Sequence, residues 1–328
     1  MKLKTAGACL SVVVLAAGVA GCKTSGGGKG GTTTGGLDSS ATYAVTADDT
    51  AARAISDGKT LKASKTAAAT LLDYNANTSR TVDASDFSIK KNANGGVDVT
   101  VNGKTTSFAK ADELVEGGET AGWERDVEGQ DYKLLHPVNG TFDETMNGTG
   151  DYRYAQLWRY FLDDGSTSVR GFAAIGAETK PDALKGKANA TYKGRATAET
   201  QLADDATTRT GVEGDLQLAA NFDKGSVSGK MDNLSARTRS GDSGWSPWTP
   251  VDGTVTLETA KISGNAYDGK LKGDTAFNTL IDGNLDGSTY SGRFYGPKAE
   301  ETAGVFKLKG TSEGDGFVGS GGFAAKAQ

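Results

Sequence analysis

Residues 215–230 read DLQLAANFDKGSVSGK, and this stretch decides the fold class. Its first half alternates apolar and polar side chains, with Leu216, Leu218, Ala220 and Phe222 set against Asp215, Gln217 and Asn221. Successive side chains of a β-strand point to opposite faces, so this period of two predicts a strand with one buried face. Asp223-Lys224-Gly225 then predicts a turn into a return strand.

A large side chain followed two positions later by glycine recurs through the C-terminal part of the chain. The pairs are Tyr192/Gly194, Val227/Gly229, Tyr267/Gly269, Tyr290/Gly292 and Phe317/Gly319. Glycine within a strand marks a bend or a close backbone approach, and repeated bends let a sheet coil until it closes. Eight to nine strands therefore predict an antiparallel β-barrel over residues 186–328, with an interior that side chains can fill.

The faces opposite the apolar ones carry charged and hydroxyl side chains, among them Lys193, Arg195, Lys230 and Arg293. A transmembrane barrel presents an apolar band to lipid. If this barrel closes with its apolar side inward, lipid would meet lysine and arginine, so the pattern predicts a soluble barrel.

Residues 37–185 are predicted to form a smaller, β-rich domain of mixed α+β character ahead of the barrel, which makes the whole chain mainly β. Tyr152 to Leu162 predicts a strand, Asp163-Asp164-Gly165 a turn, and Val169 to Ile175 the return strand. Ala63 to Leu72 is interpreted as one short helix.

The first 22 residues carry the signals for localisation. Lys2 and Lys4 precede a short apolar run that ends in Val19-Ala20-Gly21-Cys22. The run is too short for a membrane span and is typical of a secretory signal. The ending resembles the bacterial lipobox, which implies removal of residues 1–21 and acylation of Cys22; the alternative is an ordinary signal peptide with an incidental cysteine. Residues 22–36, with the Gly-rich stretch 23–36, then form a flexible tether.

Charge and cysteine content exclude several classes of function. Removing Lys2 and Lys4 from the 36 basic residues leaves 34 against 41 acidic ones, a net charge of −7, which argues against a nucleic-acid partner. Cys9 lies in the predicted signal, so the mature chain holds Cys22 alone and forms no internal disulfide. Several acyl chains on Cys22 would make a near-permanent membrane anchor. Lys23 follows the cysteine, and the lipobox resemblance then implies the outer membrane.

Three stretches resemble the β-barrel domains of transferrin-binding protein B. They are Ser291 to Glu301 (SGRFYGPKAEE) with Gly304-Val305-Phe306, the chain end Gly321 to Lys326 (GGFAAK), and Phe172 to Thr179 with Ala190 to Gly194. Thr302-Ala303-Gly304 departs from the family pattern, where Gly-Gly is more usual. The resemblance implies a surface lipoprotein in which a handle-like domain precedes an eight-stranded barrel. It also implies capture of a host protein, possible transfer of an iron carrier to an outer-membrane transporter, and room in this chain for one such lobe only.

Arg237 to Gly253 (RTRSGDSGWSPWTPVDG) is interpreted as a long loop and is the candidate binding segment. Tryptophan and arginine are enriched in binding hot spots, so we predict that Trp245 and Trp248, with Arg237 and Arg239, contact a partner protein. The alternative is that both rings pack over a barrel mouth or against the N-terminal region.

No catalytic or metal-binding constellation is predicted, and no cofactor. Gly310 to Gly314 fits a hydrolase pattern around Ser312, but the single histidine, His136, lies far upstream and a hairpin turn explains the residues. The leading hypothesis is therefore a non-enzymatic outer-membrane lipoprotein that binds a protein ligand at the cell surface. The alternatives are a structural envelope lipoprotein and a lipocalin-type carrier of a small apolar ligand.

Overall fold

The computed structural model describes residues 58, 60–63, 65–83, 86–116, 119–127, 130–135, 152–205, 207–241, 243–281, 283–311 and 316–328. These residues form twenty strands, one short α-helix and two 3-10 turns, which confirms the mainly β prediction. None of the helices in this described part is both long and apolar enough to cross a membrane. The predicted signal, Cys22 and the tether lie outside the described residues, as do Ser312 and His136.

Eleven strands precede the barrel and form two antiparallel sheets. They are β1 (Leu61–Lys62), β2 (Ala67–Asp73), β3 (Thr78–Asp83), β4 (Ser88–Lys91), β5 (Val97–Val101), β6 (Lys104–Phe108), β7 (Glu113–Glu116), β8 (Glu119–Val127), β9 (Gln130–Leu135), β10 (Ala155–Asp163) and β11 (Thr167–Gly176). The 3-10 turn Lys110–Asp112 separates β6 from β7. One sheet has the order β1-β4-β5-β6 and the other β3-β2-β11-β10-β9-β8-β7. The predicted hairpin at residues 152–175 is confirmed as β10 and β11.

The helix predicted over Ala63 to Leu72 is wrong, because most of this segment is strand β2. β2 lies between β3 and β11 and is hydrogen-bonded to both. Its alternate faces are buried in different clusters: Ala69 packs in the core between the two sheets, and Ala68 packs against the barrel. Pairing on both edges and burial on both faces override the local helix propensity of alanine and leucine.

The barrel occupies the C-terminal part of the chain. Its elements are β12 (Ala190–Leu202), β13 (Arg209–Asn221), β14 (Ser226–Arg239), β15 (Thr249–Pro250), β16 (Val255–Ser263), β17 (Ala266–Gly273), α1 (Thr275–Leu280), β18 (Thr289–Tyr295), β19 (Glu301–Thr311) and β20 (Gly316–Ala327). The order β13-β12-β20-β19-β18-β17-β16-β14 closes through pairing of β13 with β14. The predicted eight-stranded antiparallel barrel is therefore confirmed, with β15 as a short addition on β14. The division of the chain at residues 185 and 186 stays a prediction.

The repeated glycines have a packing role inside the barrel. Tyr267 lies opposite Gly292, and Gly269 lies opposite Tyr290, across the β17–β18 pair. A Cβ atom at Gly292 would be 2.5 Å from Cζ of Tyr267, and one at Gly269 would be 2.6 Å from Cε1 of Tyr290. Each glycine thus makes room for the tyrosine ring on the neighbouring strand, an arrangement that favours a strongly coiled sheet.

A layer of small and aromatic residues joins the N-terminal sheets to the outer face of β19 and β20. Leu157 and Phe172 from the sheet pack here with Ala303, Val305 and Ala324 from the barrel. β19 and β20 are consequently buried on both faces along most of their length. This seam explains why their sequence is nearly continuous in apolar and small residues instead of alternating.

One buried carboxylate binds the backbone at this seam. Glu301, only 3% exposed, accepts hydrogen bonds at Oε1 from the N–H of Arg153 (2.8 Å) and at Oε2 from those of Tyr154 and Ala155 (both 2.9 Å). Burial raises the pKa of Glu301, while these three N–H donors oppose the rise by stabilising the charged form. Glu301 therefore ties the start of β10 to the first residue of β19.

Candidate functional site: an arginine–tryptophan ladder on the outer barrel wall

The candidate binding residues lie at the end of β14 and in the segment that follows it. Arg237 and Arg239 belong to the strand itself, so the predicted loop begins three residues later than the sequence indicated. The segment after β14 folds back along it, because the N–H of Ser246 donates to the carbonyl of Thr238 (2.8 Å) and Ser246 Oγ accepts from the N–H of Thr238 (2.9 Å). This return places Trp245 and Trp248 beside Arg237.

Strand alternation decides which side of the wall these residues occupy. On β13, Val212, Leu216 and Leu218 are buried in the barrel core. Because neighbouring positions on a strand face opposite ways, Arg209 and Gly211 lie on the outer face. Arg239 is opposite Arg209, and Arg237 is opposite Gly211, across the β13–β14 pair.

The side chains stack in an alternating series that we call the arginine–tryptophan ladder: Arg209, Trp245, Arg237 and Trp248. The Cζ atom of Arg237 lies 4.6 Å from the ring centroid of Trp245 and 4.3 Å from that of Trp248. The Cζ atom of Arg209 lies 5.4 Å from the ring centroid of Trp245. Each contact is within cation–π range, and such contacts contribute about 0.5–1 kcal/mol at exposed positions and more where the pair is desolvated. Arg209 is buried, at 8% exposure, and Arg237 is partly exposed.

Gly211 lies on the barrel wall directly beneath the ladder and has no side chain to separate the rings from the wall. A Cβ atom at this position would lie 3.3 Å from Cγ of Arg237 and 3.5 Å from ring atoms of both Trp245 and Trp248. A Cβ atom would therefore only touch the two rings, whereas a side chain larger than alanine would have to displace them. The two tryptophans are thus held in place and remain partly exposed.

Both rings lie on the outer wall of the barrel, against Arg237 and over Gly211, and Trp245 also contacts Arg209. Their contact with a partner protein stays a prediction. Sequence reasoning missed Arg209 as a member of the site. Its membership depends on the register between β13 and β14, which no local pattern reveals.

The acidic residues next to the ladder are engaged with other arginines. Arg195 donates to Asp215 (2.7 Å) and Glu213 (3.3 Å). Partial burial acts to raise the pKa of Asp215, but hydrogen bonds from Asn233 and Arg195 outweigh it and keep that pKa lowered. Glu199 on β12 is paired with Arg159 of the N-terminal sheet.

The barrel interior is filled by aromatic side chains. Tyr192, Tyr267, Phe294 and Phe323 are all at most 2% exposed. Leu184 from the 3-10 turn Pro181–Leu184 and Phe277 from α1 join the same core from segments outside the strands. A lipocalin-type carrier needs an internal cavity, and these side chains occupy that space.

An open groove lies elsewhere on the outer wall, over β12, β13, β14 and β16. It has a volume of about 810 Å³, and Gln217, Lys230, Thr256 and Glu258 contribute polar side chains to its lining. Lys230 is paired with Asp232 (2.5 Å). None of the described residues that line the groove is aromatic, so the ladder is the stronger candidate for a binding surface.

Comparison with known proteins gives one family match and several structural matches. Residues 185–327 match the family described as the C-lobe and N-lobe beta barrels of Tf-binding protein B. No curated protein matches the chain.

Among solved structures, a transferrin-binding protein B double mutant from Haemophilus parasuis is 20% identical, with a TM-score of 0.44, over 80% of this chain and 45% of that one. Transferrin-binding protein B from Neisseria meningitidis is 18% identical, with a TM-score of 0.41, over 80% and 43%. HpuA from Kingella denitrificans, in complex with human haemoglobin, is 11% identical, with a TM-score of 0.38, over 89% and 93%. The chain thus spans less than half the length of the transferrin-binding protein structures that it matches.

Proposed function

We propose, on the premise that residues 185–327 belong to the family of transferrin-binding protein B barrels, that this chain is a non-enzymatic surface receptor for a protein ligand. Arg237, Arg239, Trp245 and Trp248 contact that ligand. The names of the matched structures make an iron carrier such as transferrin or haemoglobin the ligand class to test first. A separate outer-membrane transporter would then receive the iron.

The arginine–tryptophan ladder is the observation that carries this proposal. Binding hot spots are rich in tryptophan and arginine, which bury a large area with few rotatable bonds. Here the rings and guanidinium groups are already stacked on one another and on the barrel wall. Such preorganised side chains lose little conformational entropy when a partner docks, so more of the contact energy is available as affinity.

Affinity capture with residues 37–328 tests the receptor function. The immobilised protein is exposed to host fluid and to growth medium, and bound proteins are identified by mass spectrometry. The double variant Trp245→Ala, Trp248→Ala is expected to lose the captured protein. Tyr74→Ala, which removes an exposed aromatic ring from the N-terminal sheets, is the matched control. Undiminished capture by the double variant, or loss only in Tyr74→Ala, would place the binding site elsewhere.

Lipid anchoring at Cys22 is the second part of the proposal, supported by the lipobox-like ending at residues 19–22. Cys22→Ser is expected to move the protein from the membrane fraction to the soluble fraction and to abolish labelling with radioactive palmitate. Protease treatment of whole cells should degrade the wild-type protein if it is displayed at the surface. A Cys22→Ser protein that still partitions with membranes would refute the anchor.

The structural alternative is an envelope lipoprotein without a ligand. The response of its production to iron supply distinguishes it from a receptor. A receptor for an iron carrier is expected to be produced more strongly under iron limitation, whereas a maintenance protein has no reason to respond. Quantitative immunoblotting with and without an iron chelator makes this comparison. Constant abundance would favour the structural role.

A further inference from the structure

The outer wall around the ladder concentrates positive charge in a way that strand pairing disfavours. Arg209 and Arg239 face each other directly across the β13–β14 pair, and Arg237 lies on the same face two residues from Arg239. Like charges directly opposite each other destabilise an antiparallel pair. The chain as a whole has a net charge of −5, so acidic residues are in excess elsewhere. A local arrangement that costs stability in this way is typical of a functional surface.

Among the residues that the structure describes, no acidic side chain pairs with Arg209 or Arg239. Glu213 and Asp215, farther along β13, are bonded to Arg195, and Glu199 is paired with Arg159. Within the part of the chain that the structure describes, the Nε atoms of Arg209 and Arg239 are buried without a hydrogen-bond partner. Where part of a guanidinium group is shielded from water, its attraction for an incoming anion is screened less strongly.

We propose that the ladder, together with Arg239, docks a carboxylate-rich segment of the protein ligand. Guanidinium groups and carboxylates pair through two parallel hydrogen bonds, which gives direction as well as attraction. The partly exposed rings of Trp245 and Trp248 add apolar area for the stems of glutamate side chains and for the peptide backbone. This inference names the partner chemistry of the receptor site and so rests on the proposed function.

The first test measures binding of poly-L-glutamate to the full chain in a non-ionic detergent at low salt, by quenching of tryptophan fluorescence. The wild-type protein is expected to bind, with an affinity that falls as salt screens the charges. Arg239→Gln is expected to weaken binding about tenfold, which corresponds to about 1.4 kcal/mol. Lys261→Gln, an equal charge change at an exposed position on β16, is the matched control and should bind like the wild type.

Arg239→Gln leaves the three stacking contacts of the ladder in place, so it tests the charge without removing the support of the tryptophans. Three results would overturn the inference. The first is no binding of poly-L-glutamate by the wild type, and the second is equal affinity in Arg239→Gln. The third is binding of polyphosphate or heparin in preference to poly-L-glutamate, which would point to a phosphate or sulfate ligand.

The two proposals fail in different experiments. Poly-L-glutamate binding needs no natural ligand, so its absence removes the acidic segment and leaves the receptor function to the capture experiment. If poly-L-glutamate binds through Arg239 while capture survives the double tryptophan change, the acidic docking site exists but the receptor contacts its ligand elsewhere.

Discussion

Replacing Glu301 by alanine should loosen the seam between the N-terminal sheets and the barrel. The change removes the acceptor of three backbone N–H groups, those of Arg153, Tyr154 and Ala155. A buried donor left without its partner costs about 1–3 kcal/mol, and two of these three donors belong to buried residues. Because the third is partly buried and the change also relieves the cost of burying a carboxylate, we expect a net loss of about 3–5 kcal/mol.

Urea unfolding followed by circular dichroism and tryptophan fluorescence measures this loss. Glu258→Ala, which removes an exposed carboxylate from β16, is the matched control and is expected to change stability by about 0.5 kcal/mol or less. A loss in Glu301→Ala no larger than that of the control would refute the account of the seam.

The pH dependence offers an independent check on Glu301. Burial raises its pKa in the folded protein above the ordinary value of 4.5, so the folded state binds a proton more readily than the unfolded state. The contribution of this carboxyl to stability should therefore fall as the pH rises from 4.5 through the folded-state pKa. Glu301→Gln removes this dependence, so the difference in stability between wild type and variant should change across that window. A difference independent of pH would contradict the raised pKa.

Three further predictions concern the barrel. Gly292→Ala should lower the free energy of unfolding by about 1–3 kcal/mol, because its Cβ atom would lie 2.5 Å from Tyr267 Cζ. Urea unfolding compares this variant with Gly244→Ala, whose Cβ atom meets nothing within 4 Å, and equal stabilities would contradict the prediction. Arg293→Met should lower the free energy of unfolding by about 3–5 kcal/mol, because it leaves the carboxylate of Glu178, 2.7 Å away, without its cation. In a double-mutant cycle, adding Glu178→Leu should restore part of that stability. Burial raises the pKa of Tyr267 well above 10, so titration of phenolate absorbance should show fewer ionised tyrosines in the folded than in the unfolded protein above about pH 10, and stability should fall there as pH rises. Complete ionisation of the folded protein near pH 10 would disprove this burial.

The sequence by itself determined the strand class and the barrel, because alternation of side chains and turn residues are local properties that persist in the fold. The hairpin of residues 215–230 and the repeated glycines lie where the pattern predicted, as β13, β14 and their neighbours. The resemblance to transferrin-binding protein B barrels is confirmed for residues 185–327. The contact role of Trp245 and Trp248 and the lipid on Cys22 stay predictions.

Tertiary structure alone decided which distant residues meet. Ala63 to Leu72 has the composition of a helix, and only its two partner strands make it β2. Glu301 binds backbone groups up to 148 residues away, and Arg209 joins the ladder through the register of a strand pair. Hydrophobic alternation specifies which face of a strand is buried, but it carries no information about which strand lies alongside. The ladder and the seam depend on that pairing, so they emerge only when the sheet closes.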